Sequence, residues 1–216
     1  MREKAHEVIS AMSKISGNPL FKLSKLDAVV IAIGASTGGT EATLRVIKDL
    51  PVETPGIVVV QHMPEGFTTM YAERLNRICA MEVKEAEHGD EIRRGRVLIA
   101  RGDFHMEVAG FRGGYRVELK KGEKVSGHRP SVDVLFDSVA RLVKKDAVGI
   151  ILTGMGKDGA DGLLKMRQSG AFTIGQDEAS SVVYGMPMVA FQNGAVCKQT
   201  SGENIAYVLK EYLSKL

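Results

Sequence analysis

A chain of 216 residues can bury a core without disulfides or metals, and its 29 basic against 26 acidic residues leave a formal charge of +3, too balanced for a nucleic-acid binder. The only cysteines, Cys79 and Cys197, have no C-x-x-C spacing, which argues against a zinc site or a redox pair and suits a reducing compartment. A charged start with no apolar h-region, and no later run of membrane-spanning length, predict a cytoplasmic protein without membrane insertion.

In chain order, Ala5, Val8, Ile9, Met12 and Ile15 have helical spacing that Ser16-Gly17-Asn18-Pro19 breaks, predicting a short helix and a linker. Val29 to Ile33 is then a short β-branched run, read as a buried strand. It stops at Gly34-Ala35-Ser36-Thr37-Gly38, a match to G-x-S-x-G, in which a serine hydroxyl is exposed on a strand-to-helix turn. A glycine-rich phosphate loop is the alternative at this point. A helix over Thr40 to Leu50, with Leu44, Ile47 and Leu50 on one face, ends at Pro51. The unit repeats as a strand from Gly56 to His62 and a helix from Phe67 to Cys79, with Met70, Leu75 and Ile78 expected inward. Two all-apolar strands separated by a helix should be parallel and covered on both faces.

From Met81 to Lys121 the texture changes to short strands, Arg96 to Ala100, Phe104 to Ala109 and Tyr115 to Leu119, read as an antiparallel hairpin region inserted in the parallel sheet or at its edge. Ser131 to Lys145 returns to helix, with a stripe of Val132, Leu135, Phe136, Val139, Leu142 and Val143. Ala147 to Thr153 is another buried strand, followed by a glycine loop, a helix to about Gln168 and a strand from Ala171 to Gly175. A short helix after Pro187, a brief strand near Val196 and a last helix aligning Ile205, Val208, Leu209, Tyr212 and Leu216 complete the chain. The alternation predicts an α/β fold: a doubly wound, mostly parallel, Rossmann-like sheet with right-handed crossovers.

Ligands of such sheets bind beyond the carboxyl ends of the strands, where Ser36, His62 and Asp158 all fall. Serine, histidine and aspartate at one edge supply a nucleophile, a general base and a carboxylate to orient the imidazolium. Taken singly, each has a simpler role: Ser36 as a helix N-cap, His62 as a structural histidine, Asp158 as a cap or first-turn acid. The other histidines have no mutual metal-ligand spacing, so no metal and no cofactor are expected. The competing reading is a dinucleotide site, because Gly154-x-Gly156-x-x-Gly159 follows a strand and opens a helix, with Asp177 and Glu178 about twenty residues on. Against it stands Asp158, whose carboxylate would compete with a pyrophosphate for the same helix N-terminus.

Five blocks, Gly34 to Gly39, Gln61-His62-Met63-Pro64, Gly127 to Asp133, Leu152 to Gly159 and Gln176 to Pro187, closely resemble the catalytic domain of the CheB family of chemotaxis receptor methylesterases. The resemblance runs from residue 27 to 216 and makes residues 1–26 the remnant of an interdomain linker, with the family's response-regulator domain absent from this chain. It implies hydrolysis of glutamate γ-methyl esters on the cytoplasmic helices of receptors, with glutamine deamidation as a second activity of some members, by a monomer. It further implies Ser36 as nucleophile, His62 as base and Asp158 as orienting acid, with the Met155 backbone N–H and Thr37 in oxyanion-stabilising and supporting positions. His128 and Arg129 match a family block without an assigned step, and Ser131 is a candidate cap for the helix it precedes. Arg101 and Lys157 depart from the family pattern at the expected rim of the cleft.

Overall fold

The computed structural model describes residues 25–216, so the predicted N-terminal helix and most of the linker lie outside the described residues. The chain runs β1 (Val30–Ala35), α1 (Gly39–Ile47), β2 (Gly56–Gln61), α2 (Phe67–Ile78), β3 (Glu82–Glu85), β4 (Glu91–Ile92) and β5 (Arg96–Ile99). It continues through the hairpin β6 (His105–Phe111) and β7 (Gly114–Lys120), then α3 (Val132–Leu142), β8 (Ala147–Ile151), α4 (Ala160–Gln168) and β9 (Phe172–Gln176). The last elements are α5 (Met186–Gln192), β10 (Lys198–Thr200) and α6 (Ile205–Leu213).

Seven strands form one parallel sheet in the order β10-β9-β8-β1-β2-β5-β3, and β4, β7 and β6 form a small antiparallel sheet beside it. The central strands are apolar on both faces because both faces are covered. Val30 and Ala32 of β1 point into a core shared with Leu135 of α3, Leu163 of α4 and Ala190 of α5. Ile31 and Ile33 point the other way, toward Val46 of α1, Leu75 of α2 and Leu209 of α6. From β1 the chain winds outward through β2, then returns to β8 on the opposite side of β1. The β1/β8 boundary is therefore the switch point, where two loops diverge and leave a crevice.

One side chain brings a helix end to that crevice. A Cβ on Gly34 would lie 2.2 Å from Val132 Cγ1, and one on Gly159 would lie 2.4 Å from the same atom. Val132, the first residue of α3, thus sits wedged between two glycines, and the N-terminus of α3 lands on the edge of β1.

The structure departs from the sequence reading in three places. Arg96–Ile99 is not in the hairpin region: it pairs in parallel with β2 and with β3, an edge strand the apolar pattern did not reveal. Along α2 the inward stripe is Thr68, Tyr71, Ala72 and Leu75, spaced i, i+3, i+4, i+7, which turns Met70 and Ile78 outward to 65% and 50% exposure. Leu142 likewise leaves the α3 stripe and is exposed, at the last turn, where the chain passes into a short 3-10 segment.

Candidate active site

Ser36 follows the last residue of β1. Its backbone N–H donates to Thr153 O at 3.0 Å, while its carbonyl accepts from Gly39 N–H at 2.8 Å, which closes the turn into α1. The N-cap of α1 is Gly38, with φ of 79° and no side-chain cap bond, so the Ser36 hydroxyl is not spent on capping. A side chain at position 38 would face both this left-handed backbone and Val182, whose Cβ would stand 2.6 Å from the new atom. Ser36 is half-buried and Thr37 exposed. Thr153, buried after β8, donates its hydroxyl to Thr37 O at 3.0 Å and accepts from Val183 N–H at 2.9 Å, lacing the serine turn to the 182–186 loop.

Gly154 backs directly onto the serine: a Cβ there would lie 2.7 Å from Ser36 Cβ. Met155, the next residue, is 72% exposed, so its side chain is not part of the core.

The histidine and aspartate meet. The His62 N–H donates to Ala35 O at 3.0 Å, extending the β1/β2 pairing one residue beyond the strands. The ring is turned so that Nε2 lies 2.7 Å from Asp158 Oδ2, with side-chain exposures of 6% and 1%. A carboxylate only accepts, so the ring proton sits on Nε2. Nδ1, buried and without a protein partner, keeps its lone pair. The ring is thus used in the reverse sense from the serine proteases, where the aspartate holds Nδ1.

Asp158 does not cap its own helix, whose N-cap is Gly159. Instead it caps α3. Oδ1 accepts from the Ser131 hydroxyl at 2.8 Å and Asp133 N–H at 3.1 Å, and Oδ2 accepts from Val132 N–H at 2.8 Å in addition to His62. Burial opposes the charge, but the His62 bond and then these three donors outweigh it, holding the carboxyl below the usual range. The helix dipole acts in the same sense. Ser131 is the N-cap of α3 as its position suggested, accepting from Val134 N–H at 3.4 Å, and it is at the same time a ligand of Asp158.

The Gly127–Ser131 block gains a physical role. His128 stacks on His62 with ring centroids 3.7 Å apart and planes at 10°. Its backbone exchanges two bonds with Val125, of 3.1 and 2.9 Å. Burial first, and then the neighbouring His62 ring, pushes the His128 imidazole below its ordinary range, so a neutral ring covers that of His62. Arg129 grips Asp103, with its Nε at 3.1 Å, and donates from its other end to Gly122 O. An open cleft of about 560 Å³ approaches His62 from this side, with Glu65, Asp103 and Lys124 on its walls. Arg101 lies at its rim, over the Phe104 ring and 3.6 Å from Glu65; Lys157 is exposed on the loop before α4.

Sequence reasoning missed the residues that brace the site: Gln61, Gln176, Thr153, His105 and Asp133. Gln61 ends β2 as the single polar residue after an apolar run, the one local signal it carries, whereas Gln176 ends β9, a strand that already holds the polar Thr173. Gln176 Oε1 accepts from Thr153 N–H at 2.8 Å. His105 accepts on Nδ1 from Ser131 N–H at 3.2 Å and donates from Nε2 to Glu123 O at 2.8 Å, tying the hairpin to the 122–131 loop. Asp133 accepts from Gly162 N–H at 2.7 Å, and burial, with the Asp158 charge adding to it, raises its carboxyl to about 6.

A carboxyl raised on folding favours the folded state while protonated. That contribution is present below the unfolded value near 4 and is lost as pH rises through about 6. Asp133→Asn keeps an acceptor for Gly162 and removes the charge. Thermal melting should therefore show the variant close to the native chain near pH 4 and above it near pH 8, by about 2–4 °C for each kcal/mol recovered.

The dinucleotide reading fails on the same contacts. The Gly162 N–H in the first turn of α4 donates to Asp133, and Gly159 is packed on Val132, so the helix end that would take a pyrophosphate is already occupied by protein. Asp177, instead of being offered to a ribose, accepts from Ser180 N–H at 3.0 Å and from its hydroxyl at 2.6 Å in a local turn.

Comparison with known proteins gives the family. A family model described as CheB methylesterase matches residues 31–209. A protein of Syntrophomonas wolfei subsp. wolfei named protein-glutamate methylesterase/protein-glutamine glutaminase 2 is 59% identical over 187 residues, which are 87% of this chain and 55% of that protein. The Escherichia coli K12 protein-glutamate methylesterase/protein-glutamine glutaminase is 48% identical over 98% of this chain and 59% of its own length. The chain thus spans about half the length of the curated relatives it matches. The crystal structure of the Thermotoga maritima CheB methylesterase catalytic domain superposes with a TM-score of 0.83 at 39% identity, covering 85% of this chain and 98% of that one. The dinucleotide-dependent oxidoreductase alternative finds no support in these matches, and the chain belongs to the CheB methylesterase family.

Proposed function

We propose that this chain hydrolyses glutamate γ-methyl esters on the cytoplasmic helices of chemotaxis receptors, with Ser36 as nucleophile, His62 as general base and Asp158 as its orienting carboxylate. The observation that carries the reading is the buried His62–Asp158 contact of 2.7 Å at the switch point, one strand from a serine whose hydroxyl caps nothing. The names of the relatives support the substrate class.

In this mechanism Nδ1 of His62 takes the Ser36 proton as Oγ attacks the ester carbonyl. The oxyanion forms toward the Met155 backbone N–H, with Thr37 supporting the turn; one such donor is worth about a hundred- to thousandfold in rate. The imidazolium, stabilised through Nε2 by Asp158, returns its proton to the leaving methoxide, and methanol departs. Water, activated by the same ring, then cleaves the acyl-serine to release glutamate and regenerate the hydroxyl. A glutamine side chain follows the same path with ammonia leaving, so deamidation belongs to the proposal. The reading sets the chain, as a monomer, in the cytoplasm, with access to the cleft controlled by a response-regulator domain outside residues 27–216. No described helix is long and apolar enough to cross a membrane. Receptor membranes carrying labelled methyl esters are expected to release methanol when the chain is added; release no faster than the blank would sink the proposal.

A further inference from the structure

We propose that Gln61 is a positioning residue for this reaction, a brace that sets the spacing between the nucleophile and the base. The inference rests on the esterase reading above. Gln61 is the last residue of β2 and is 2% exposed. Its Nε2 donates to Ser36 O at 2.9 Å and to His62 O at 3.2 Å, so both hydrogens of one amide are used on the backbones of the two residues that must meet.

The position matters because the strand ladder ends there. The last backbone bond joining the two strands is His62 N–H to Ala35 O. Beyond it Ser36 turns into α1 and His62 runs into the loop before α2, so the ladder no longer fixes their separation. The carboxamide supplies the missing link. Its orientation is set by chemistry, since a reversed amide would press Oε1 against two carbonyl oxygens.

The other end of the side chain argues for a dedicated role. Oε1 is buried with no hydrogen-bond partner and is pressed on Gly39, where a Cβ would stand 2.3 Å away. A buried acceptor left unpaired is a cost that an apolar residue at a strand end would avoid. Ile57 and Val59, on the same face of β2, are apolar and fully buried, so an apolar residue at position 61 would suit the packing. What it would lack is the pair of donors.

Misplacing reacting groups by about 1 Å costs on the order of a hundredfold. Gln61→Met, of similar length and without donors, is therefore expected to lower kcat about ten- to a hundredfold with KM within about twofold. Labelling of Ser36 by a sulfonyl fluoride should slow in parallel. Gln61→Glu gives a different signature. A carboxyl buried between two carbonyls can donate only when protonated, so its activity relative to the native chain should be highest at acid pH and fall as pH rises. Taking the ratio at each pH removes the pH dependence that the two proteins share. Native kcat in a folded Gln61→Met, or a ratio for Gln61→Glu that is flat with pH, overturns the brace. If the native chain released no methanol the esterase reading would fall by itself, and the sulfonyl fluoride rates of native and variant chains would still decide the role of Gln61.

Discussion

Ser36→Ala is expected to lose methanol release from methylated receptor membranes by about ten-thousandfold or more while its melting temperature stays within a few degrees of native. The size follows from covalent catalysis: without Oγ there is no acyl-enzyme, and only the oxyanion donors and binding remain. The small effect on stability follows from the contacts. What holds residue 36 is its backbone, through Thr153 O, Gly39 N–H and the Gln61 amide, all of which alanine keeps. The side chain caps no helix, so its loss leaves α1 intact. Full methanol release by this variant would exclude the acyl-serine route.

Asp158→Asn should damage both chemistry and stability. Each carboxylate oxygen already accepts two bonds: His62 Nε2 and Val132 N–H on one, the Ser131 hydroxyl and Asp133 N–H on the other. An asparagine must set its NH₂ against one of these pairs. Facing His62, it drives the ring proton to Nδ1 and removes the base; the equivalent change in a serine protease triad costs about ten-thousandfold in kcat, and a loss of that order is expected here. Facing α3, it leaves a buried helix-end N–H unpaired, at about 1–3 kcal/mol. Melting should fall by about 2–4 °C per kcal/mol.

The pH dependence gives a second check on Asp158. A carboxyl held below its ordinary value stabilises the fold above the unfolded value near 4, and that stability is lost as pH falls through the folded value. The gap in melting temperature between native and Asp158→Asn chains should therefore be widest at neutral pH and narrow below about pH 4. A gap that did not change with pH would show that the charge of Asp158 contributes nothing to the fold. The expectation for Asp133 runs with the opposite sign, although the two carboxylates bind neighbouring N–H groups at facing helix ends. Asp158 is held low by four donors, whereas at Asp133 burial, with a second carboxylate close by, outweighs the Gly162 N–H.

The limits of sequence reading show at particular residues. Ser36 and His62 were legible because each follows a short β-branched run, and Ser36 a glycine turn as well; strand, turn and helix are local signals. Glu82–Glu85 was not legible, because an edge strand is covered on one side only and its exposed positions carry charge. Its Glu82 pairs with Arg96 across the β3/β5 boundary at 3.0 Å, a contact that no apolar pattern announces. Met70 and Ile78 were misplaced because three apolar residues on a twelve-residue helix do not identify its inward face, and Tyr71 and Ala72 decided it.

Local order, then, was written in the chain itself: the alternation of strands and helices, the switch to hairpin texture, the glycine turn under Ser36 and the placement of Ser36, His62 and Asp158 past strand ends. These depend on spacing and backbone freedom over a few residues. Tertiary structure alone decided which carboxylate oxygen meets which donor, because Asp158 finds Ser131 27 residues back and His62 96 residues back. It decided that His62 offers Nδ1, that His128 lies flat on His62 and that Gln61 spans both backbones at the site. Contacts of that kind form only when the parallel sheet brings separate strand ends to one edge, and no neighbouring residue encodes them.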